Sequence, residues 1–170
     1  MRILALIVLL ASIDPSRSPR IHEERVVMVY PNRITGEEAQ LIRQEVGHVY
    51  VYRIKIGLHY ISNAYRDITL FRWSPNGQHF FFITEDKNQY LVVQDRQEHY
   101  RYFDFIGQIQ WSKTSDKLAY FGIVNPGQEK ERLIVILNGV PIKTFKTVNN
   151  LFFDEQNKLC AEGEEATSIH

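Results

Sequence analysis

The chain has 170 residues, of which 44% are hydrophobic and 24% are charged. A chain of this length and composition can bury one substantial core and fold as a single domain, which excludes wholesale disorder. Its 20 basic and 20 acidic residues balance, so there is no net field to attract nucleic acid, and we expect no nucleic-acid partner.

The first twenty residues resemble a signal peptide followed by a linker. Arg2 precedes the nine-residue apolar run Ile3–Ala11, which has the length of a signal-peptide core and is too short to span a bilayer. A buried first strand is the alternative interpretation of this run. Two prolines and two serines in Asp14–Arg20 indicate a linker. A signal peptide would place the protein in the periplasm or outside the cell, and without one it would be cytoplasmic.

A single helix is predicted near the start of the folded domain. The apolar segment Arg25–Tyr30 predicts a strand. Thr35 and Glu38 have the spacing of a helix capping box, and the apolar residues that follow, up to Val46, recur at helical spacing. We therefore predict a short helix over 36–46, inside an insertion that covers 31–47.

From His48 onward the pattern is that of short strands separated by turns. Val51 and Arg53 alternate with Tyr52 and Ile54, so the second face of this strand should meet a core. The segment Tyr90–Gln94 is apolar enough to be covered on both faces. The predicted strands are 48–56, 68–73, 79–84, 90–94, 105–111, 117–124, 133–137, 141–145, 148–153 and 158–161. An acidic segment from Glu162 onward is predicted to fray, so the domain covers 21–164 and a tail covers 165–170.

A short phrase recurs three times, at intervals of about 40 residues. The copies are Trp73-Ser74-Pro75-Asn76-Gly77-Gln78-His79-Phe80-Phe81-Phe82, then Trp111-Ser112-Lys113-Thr114-Ser115-Asp116-Lys117-Leu118-Ala119-Tyr120, and a weaker copy that begins at Phe152-Phe153-Asp154. Each copy consists of a strand end, a tight turn and a second strand. Because Trp73 and Trp111 are equivalent, a repeated packing role is favoured over a unique site.

This phrase resembles the repeat of TolB-type WD-like β-propellers. Leu118-Ala119-Tyr120 matches the common ending of that repeat, and two later strands end similarly, at Gln94-Asp95 and at Asn138-Gly139. The resemblance covers about 50–161. It implies a mostly β fold of about three four-stranded antiparallel blades, a partial propeller. Members of the family include periplasmic scaffolds that bind partners and gating domains of serine peptidases, so the resemblance implies either role.

Three blades leave open ends. The region 50–64 has the pattern of the last two strands of a blade, and 148–161 has that of the first two. A homodimer joined head to tail would complete a propeller ring. The alternatives are a fragment of a longer propeller and an open arc capped by its N-terminal segment.

The sequence lacks the motifs of common catalytic sites. Neither a G-x-S-x-G elbow nor a phosphate-binding P-loop occurs, and the segment that starts at His22-Glu23 has Val26 where a zinc-protease motif needs its second histidine. The histidines have no metal-site spacing. We therefore predict no catalytic residue, no metal and no cofactor. The expected function is a non-enzymatic binding or scaffold module for a protein or cell-envelope partner, and the alternative is an accessory or gating propeller of a hydrolase.

Four further features have a structural and a functional interpretation. Cys160 is expected to be a small buried hydrophobe in a strand, and His79 an exposed strand position. Tyr100, Tyr102, Phe103 and Phe105 could stack on a ligand, but packing between blades is favoured. The insertion 31–47 and the charged loop 128–132 interrupt the repeat, and we expect a specific partner to bind there first.

Overall fold

The computed structural model describes residues 21–99, 102–128 and 131–166, and within these ranges it contains strands and no helix. The strands form three antiparallel sheets. Sheet 1 contains β1 (Ile21–Pro31), β2 (Glu38–Val46), β3 (Val49–Ile56) and β4 (His59–Tyr60), in that order. Sheet 2 contains β5 (Asp67–Trp73), β6 (Phe80–Asp86), β7 (Gln89–Gln94) and β8 (Gln97–Glu98). Sheet 3 contains β9 (Phe105–Trp111), β10 (Leu118–Val124), β11 (Arg132–Leu137), β12 (Val140–Phe153) and β13 (Leu159–Glu165).

The predicted helix over 36–46 is wrong, because this segment is the strand β2. It pairs with β1 on one side and with β3 on the other, and Leu41 lies opposite Ile54. The Thr35 hydroxyl accepts from the amide of Glu37 at 3.3 Å, not from that of Glu38. Pairing on both edges and burial of Leu41 outweigh the local capping signal. The insertion is therefore an ordinary hairpin of sheet 1.

The C-terminal segment also differs from the prediction. The strands expected at 141–145 and 148–153 are one continuous strand, β12, whose first half pairs with β11 and whose second half pairs with β13. The expected frayed segment from Glu162 is ordered up to the end of β13, where Glu165 pairs with Phe145. The tail 165–170 therefore begins inside a strand, and residues 167–170 lie outside the described ranges.

The sheets pack face to face through alternating side chains. On β6, Phe80 and Phe82 belong to the core shared with sheet 1, whereas Phe81 and Ile83 belong to the core shared with sheet 3. Strand β7 likewise contributes Leu91 and Val93 to the first core and Val92 to the second, which confirms the prediction that this strand is covered on both faces. A third core is formed within sheet 3 by side chains of β10, β11, β12 and β13.

The outer face of sheet 1 carries charged side chains. Arg53 and Lys55 alternate along β3 with Ile54 and Ile56, which belong to the inner core, so the two cations face away from sheet 2. The Arg53 guanidinium lies 5.3 Å from the centre of the Tyr60 ring, and Lys55 forms a 3.9 Å ion pair with Glu24. The predicted second face of β3 is confirmed, since Tyr52, Ile54 and Ile56 contribute to the first core.

Region 50–64 does supply the last two strands of a sheet, β3 and β4. The first two strands, β1 and β2, come from the same chain. The four strands of sheet 1 that the structure describes therefore come from one chain.

Candidate ligand cleft between the second and third sheets

Four equivalent turns lie at one end of the sheets, which we call the turn end. In each turn the amide of the first residue donates to a carbonyl across the turn: Asn32 to Glu37 at 2.7 Å, Ser74 to His79 at 2.9 Å, Ser112 to Lys117 at 2.8 Å and Asp154 to Lys158 at 3.0 Å. Three of these turns belong to the recurring phrase predicted from the sequence. The turn at Asn32 is not recognisable from the sequence because it does not begin with serine. Its glycine, Gly36, also lies one position further along the turn than Gly77 lies in the turn at Ser74.

Hydrogen bonds connect each turn to the next. The Asn32 side-chain amide donates to the Gly77 carbonyl at 2.7 Å, and the amide of Asn76 donates to the Ser115 hydroxyl at 3.1 Å. Asn157 donates to Asp116 at 3.3 Å. The hydroxyls of Thr114 and Ser112, with Asn157, lower the pKa of the Asp116 carboxyl to about 2. The turn end is thus a continuous network of short polar side chains.

A cleft of about 540 Å³ opens at this end, between the β7–β8 turn of sheet 2 and the β11–β12 turn of sheet 3. The two turns occupy equivalent positions. The Asp95 carboxylate accepts from the amide of Phe80 at 3.0 Å, and the Asn138 side chain accepts from the amide of Leu118 at 2.8 Å. The cleft is lined by Gln94, Asp95, Gln97, Glu98, His99, Asn138, Gly139 and Val140.

The His99 ring forms one wall of the cleft and packs against Tyr120. Their rings stack with centroids 5.8 Å apart, and His99 Nδ1 lies 3.2 Å from the Tyr120 hydroxyl. Tyr120 is fully buried, and burial raises its pKa. Burial also lowers the pKa of His99 to about 4, although the nearby Asp95 carboxylate acts in the opposite direction. The imidazole is therefore neutral at neutral pH and presents an uncharged aromatic surface.

Gly139 allows the third-sheet turn to approach this wall. Its φ is +78°, in the left-handed region. A Cβ atom at this position would lie 3.0 Å from Cδ2 of His99. The Asn138-Gly139 hairpin predicted from the sequence thus has a second role, because it closes over the imidazole ring.

The acceptors of the cleft are held by neighbouring groups. Asp95 Oδ2 lies 2.8 Å from His79 Nδ1, and Glu98 Oε1 accepts from the Tyr65 hydroxyl at 2.8 Å. Burial and Glu98 together raise the pKa of Tyr65, so its hydroxyl remains a donor. Gln94 Oε1 is shielded from solvent and has no hydrogen-bond partner among the described residues. The cleft can therefore accept hydrogen bonds from a ligand that brings donors.

Acid should destabilise the protein through His99. The pKa of histidine is near 6.5 in an unfolded chain and about 4 for His99 in the fold. Above pH 6.5 the ring is neutral in both states and has no effect. Between pH 6.5 and pH 4 the unfolded chain gains a proton that the folded chain does not, so the free energy of unfolding should fall by up to about 3 kcal/mol. His99→Gln should remove this loss.

Urea unfolding at pH 7.5 and pH 4.5 measures the effect. His48→Gln is the control, because His48 is exposed in the turn between β2 and β3. We expect the control to keep the full acid sensitivity of the parent protein. An unchanged acid sensitivity in His99→Gln would contradict the assignment.

The structure places the residues singled out in the sequence at scattered positions. His79 is partly exposed, lies immediately before β6 and bonds to Asp95. Trp73 donates to the carbonyl of Tyr30 at 3.0 Å, whereas Trp111 packs against Phe81, so both contribute to cores as expected.

The other singled-out residues do not form a common site. Cys160 lies in β13 as predicted but is half-buried rather than buried. Phe103 is fully buried, Phe105 is half exposed, and Tyr100 lies outside the described residues. In the loop 128–132, the Glu131 carboxylate accepts from the amide of Gly127 at 2.6 Å.

Comparisons with known proteins add little. No protein-family model and no curated protein matches the chain. A solved structure from Bacteroides uniformis ATCC 8492, described as a "putative 6-phosphogluconolactonase", is similar at 13% identity and a TM-score of 0.35. The match covers 82% of this chain and 48% of that chain, so this chain spans about half the length of that protein. We transfer nothing from it to this chain.

Two properties of the described residues bear on membranes and metals. None of their segments is a helix long and apolar enough to cross a bilayer. Within the same ranges, no three histidine, cysteine or acidic side chains are grouped as ligands for a metal ion.

Proposed function

We propose that this chain is a propeller-like, non-enzymatic binding module that presents strand β1 to an extended segment of a protein partner. The stacked antiparallel sheets and the turn that recurs at their ends support the propeller-like part of this proposal. The observation that carries the binding role is the exposure of four consecutive apolar residues on β1.

Those four residues are Val26, Val27, Met28 and Val29, with 48%, 47%, 50% and 42% of their surfaces exposed. Strand β1 pairs only with β2 among the described residues, so its other edge presents backbone donors and acceptors. A strand that adds to such an edge gains backbone hydrogen bonds and buries alternate side chains. The edge is therefore suited to an extended protein segment with apolar side chains.

Strand β5 is a natural comparison, because it is the equivalent first strand of sheet 2. Its exposed positions carry Asp67, Thr69 and Arg72, all of which are polar. Polar side chains such as these are well hydrated by solvent, whereas contiguous exposed apolar residues mark interaction sites. The difference between the two strands supports a partner at β1.

The outer face of sheet 1 is a less suitable docking surface than its edge. Arg53 and Lys55 lie on that face, at positions where the third strand of sheet 2 has the buried residues Leu91 and Val93. Closing a ring over this face would remove two cations from water, which costs free energy unless both are paired. Polar outer faces are typical of the capping units of repeat proteins. We therefore place the partner along β1.

The test uses a fluorescent peptide of alternating valine and threonine with a lysine at each end. A lysine at each end lets the peptide meet Glu23 and Glu24, which precede the apolar residues of β1, in either strand direction. We expect saturable binding in fluorescence anisotropy, weakened at least tenfold by Val29→Lys because a charge replaces an apolar contact. Ile142→Lys is the matched control, since Ile142 is 51% exposed on β12, and it should bind the peptide like the parent protein.

Light scattering after size exclusion determines whether the partner is a second copy. A dimer that Val29→Lys converts to a monomer would show that β1 pairs with another copy of the chain. A monomeric parent protein that binds the peptide would support a different protein partner. Equal peptide binding by all three proteins, or a monomer that binds no peptide, would overturn the proposal.

A further inference from the structure

We propose that the cleft between sheets 2 and 3 binds an organic cation, an ammonium or guanidinium group carried by a peptide or a small molecule. This site is separate from β1 and does not depend on the proposed function. The inference comes from the geometry and charge of the side chains that line the cleft.

The first argument is charge. The described lining includes the carboxylates of Asp95 and Glu98 and contains neither lysine nor arginine. Arg96 lies between them in sequence but lines a neighbouring pocket with Tyr65 and Val93. A ligand with positive charge would therefore meet two carboxylates with no lysine or arginine among the described lining residues in competition, and charge-assisted hydrogen bonds are the strong ones.

The second argument is that the acceptors are already positioned. Asp95 is held by the amide of Phe80 and by His79, and Glu98 by the hydroxyl of Tyr65, at distances of 3.0, 2.8 and 2.8 Å. The bonds to Asp95 engage both of its oxygens and the bond to Glu98 engages Oε1, so the orientation of each carboxylate is fixed before any ligand arrives. Pre-organised acceptors reduce the entropy lost on binding.

The third argument is size and surface. The volume of about 540 Å³ is in the range of sites for multi-atom ligands. The wall formed by the neutral His99 ring and the 60% exposed Val140 provides apolar surface, which suits the methylene stem that carries a terminal cation. The cleft thus combines an apolar wall with an acidic rim.

Calorimetric titration with N-acetyl-arginine amide tests the proposal, with N-acetyl-citrulline amide as a neutral ligand of nearly the same shape. We expect the citrulline compound to bind at least tenfold more weakly. Glu98→Gln should weaken arginine binding at least tenfold, while the amide oxygen can still accept from Tyr65. Glu155→Gln, in the exposed turn before β13, should leave the affinity unchanged.

Further measurements distinguish a peptide from a small amine as the source of the cation. They also separate this proposal from the one at β1. A peptide Gly-Arg-Gly that binds tenfold more tightly than agmatine would identify a protein ligand, and the reverse order a small amine. Val29→Lys should not alter arginine binding, so failure at β1 leaves this site intact. Thermal unfolding of Glu98→Gln confirms that it is folded. Equal affinity for the two amides, or equal affinity of Glu98→Gln and Glu155→Gln, would overturn the proposal.

Discussion

Replacing Phe82 by alanine should lower the free energy of unfolding by about 4 kcal/mol. The Phe82 ring is fully buried in the core between sheets 1 and 2, and the Tyr65 ring approaches its edge with centroids 5.7 Å apart. Paired strands hold both sheets in register, so the surrounding chain can collapse only partly into the cavity. The loss should therefore be typical of a fully buried phenylalanine truncated to alanine.

Urea unfolding followed by tryptophan fluorescence measures this change. Phe105→Ala is the control, because it removes the same atoms from a ring that is 50% exposed. We expect the control to lose less than about 1 kcal/mol. Comparable losses in the two variants would mean that sheets 1 and 2 do not share a packed core.

Gly122→Ala should destabilise the protein by about 3 kcal/mol through overpacking. A Cβ atom at Gly122 would lie 2.2 Å from Cδ1 of the Phe103 ring, too close for any real contact. Phe103 is itself fully buried and meets Tyr120 edge to face at 6.1 Å. The ring has little space to move, so the added methyl group must displace the β10 backbone or the ring.

A double-mutant cycle identifies the cause. Phe103→Leu shortens the side chain that the new methyl group would meet, so Gly122→Ala should cost at least 1 kcal/mol less in the Phe103→Leu background. Strictly additive effects would contradict a direct clash between the two positions. The free energies come from urea unfolding of the four proteins at pH 7.5.

The strands after His48 were largely predictable because two local signals agree there. Strand β9 (Phe105–Trp111), for example, has the bounds that the sequence predicts, because a stretch of strand-forming residues is followed directly by the recurring turn. The β1–β2 hairpin was not predictable in this way. Thr35 and Glu38 imitate a helix start, and only the long-range pairing of Leu41 with Ile54 shows that this segment is a strand.

The cleft could not be predicted from the sequence, because its lining comes from turns about 40 residues apart. Asp95 and Asn138 were noted as similar strand ends, which was the available signal. Their proximity depends on how sheet 2 packs on sheet 3, a relation set by core residues such as Phe81 and Tyr120. Local patterns do not encode that packing. The stacking of His99 on Tyr120 likewise follows from the packed fold.

The continuous strand β12 has a consequence for how the protein opens. Its first half is held by β11 and its second half by β13, with Phe145 at the junction buried in the third core. No loop separates the two halves, so the C-terminal hairpin lacks a hinge about which to detach. Its amides should exchange with solvent in the same cooperative event as those of β10 and β11. The last hairpin would then be lost only when sheet 3 as a whole unfolds.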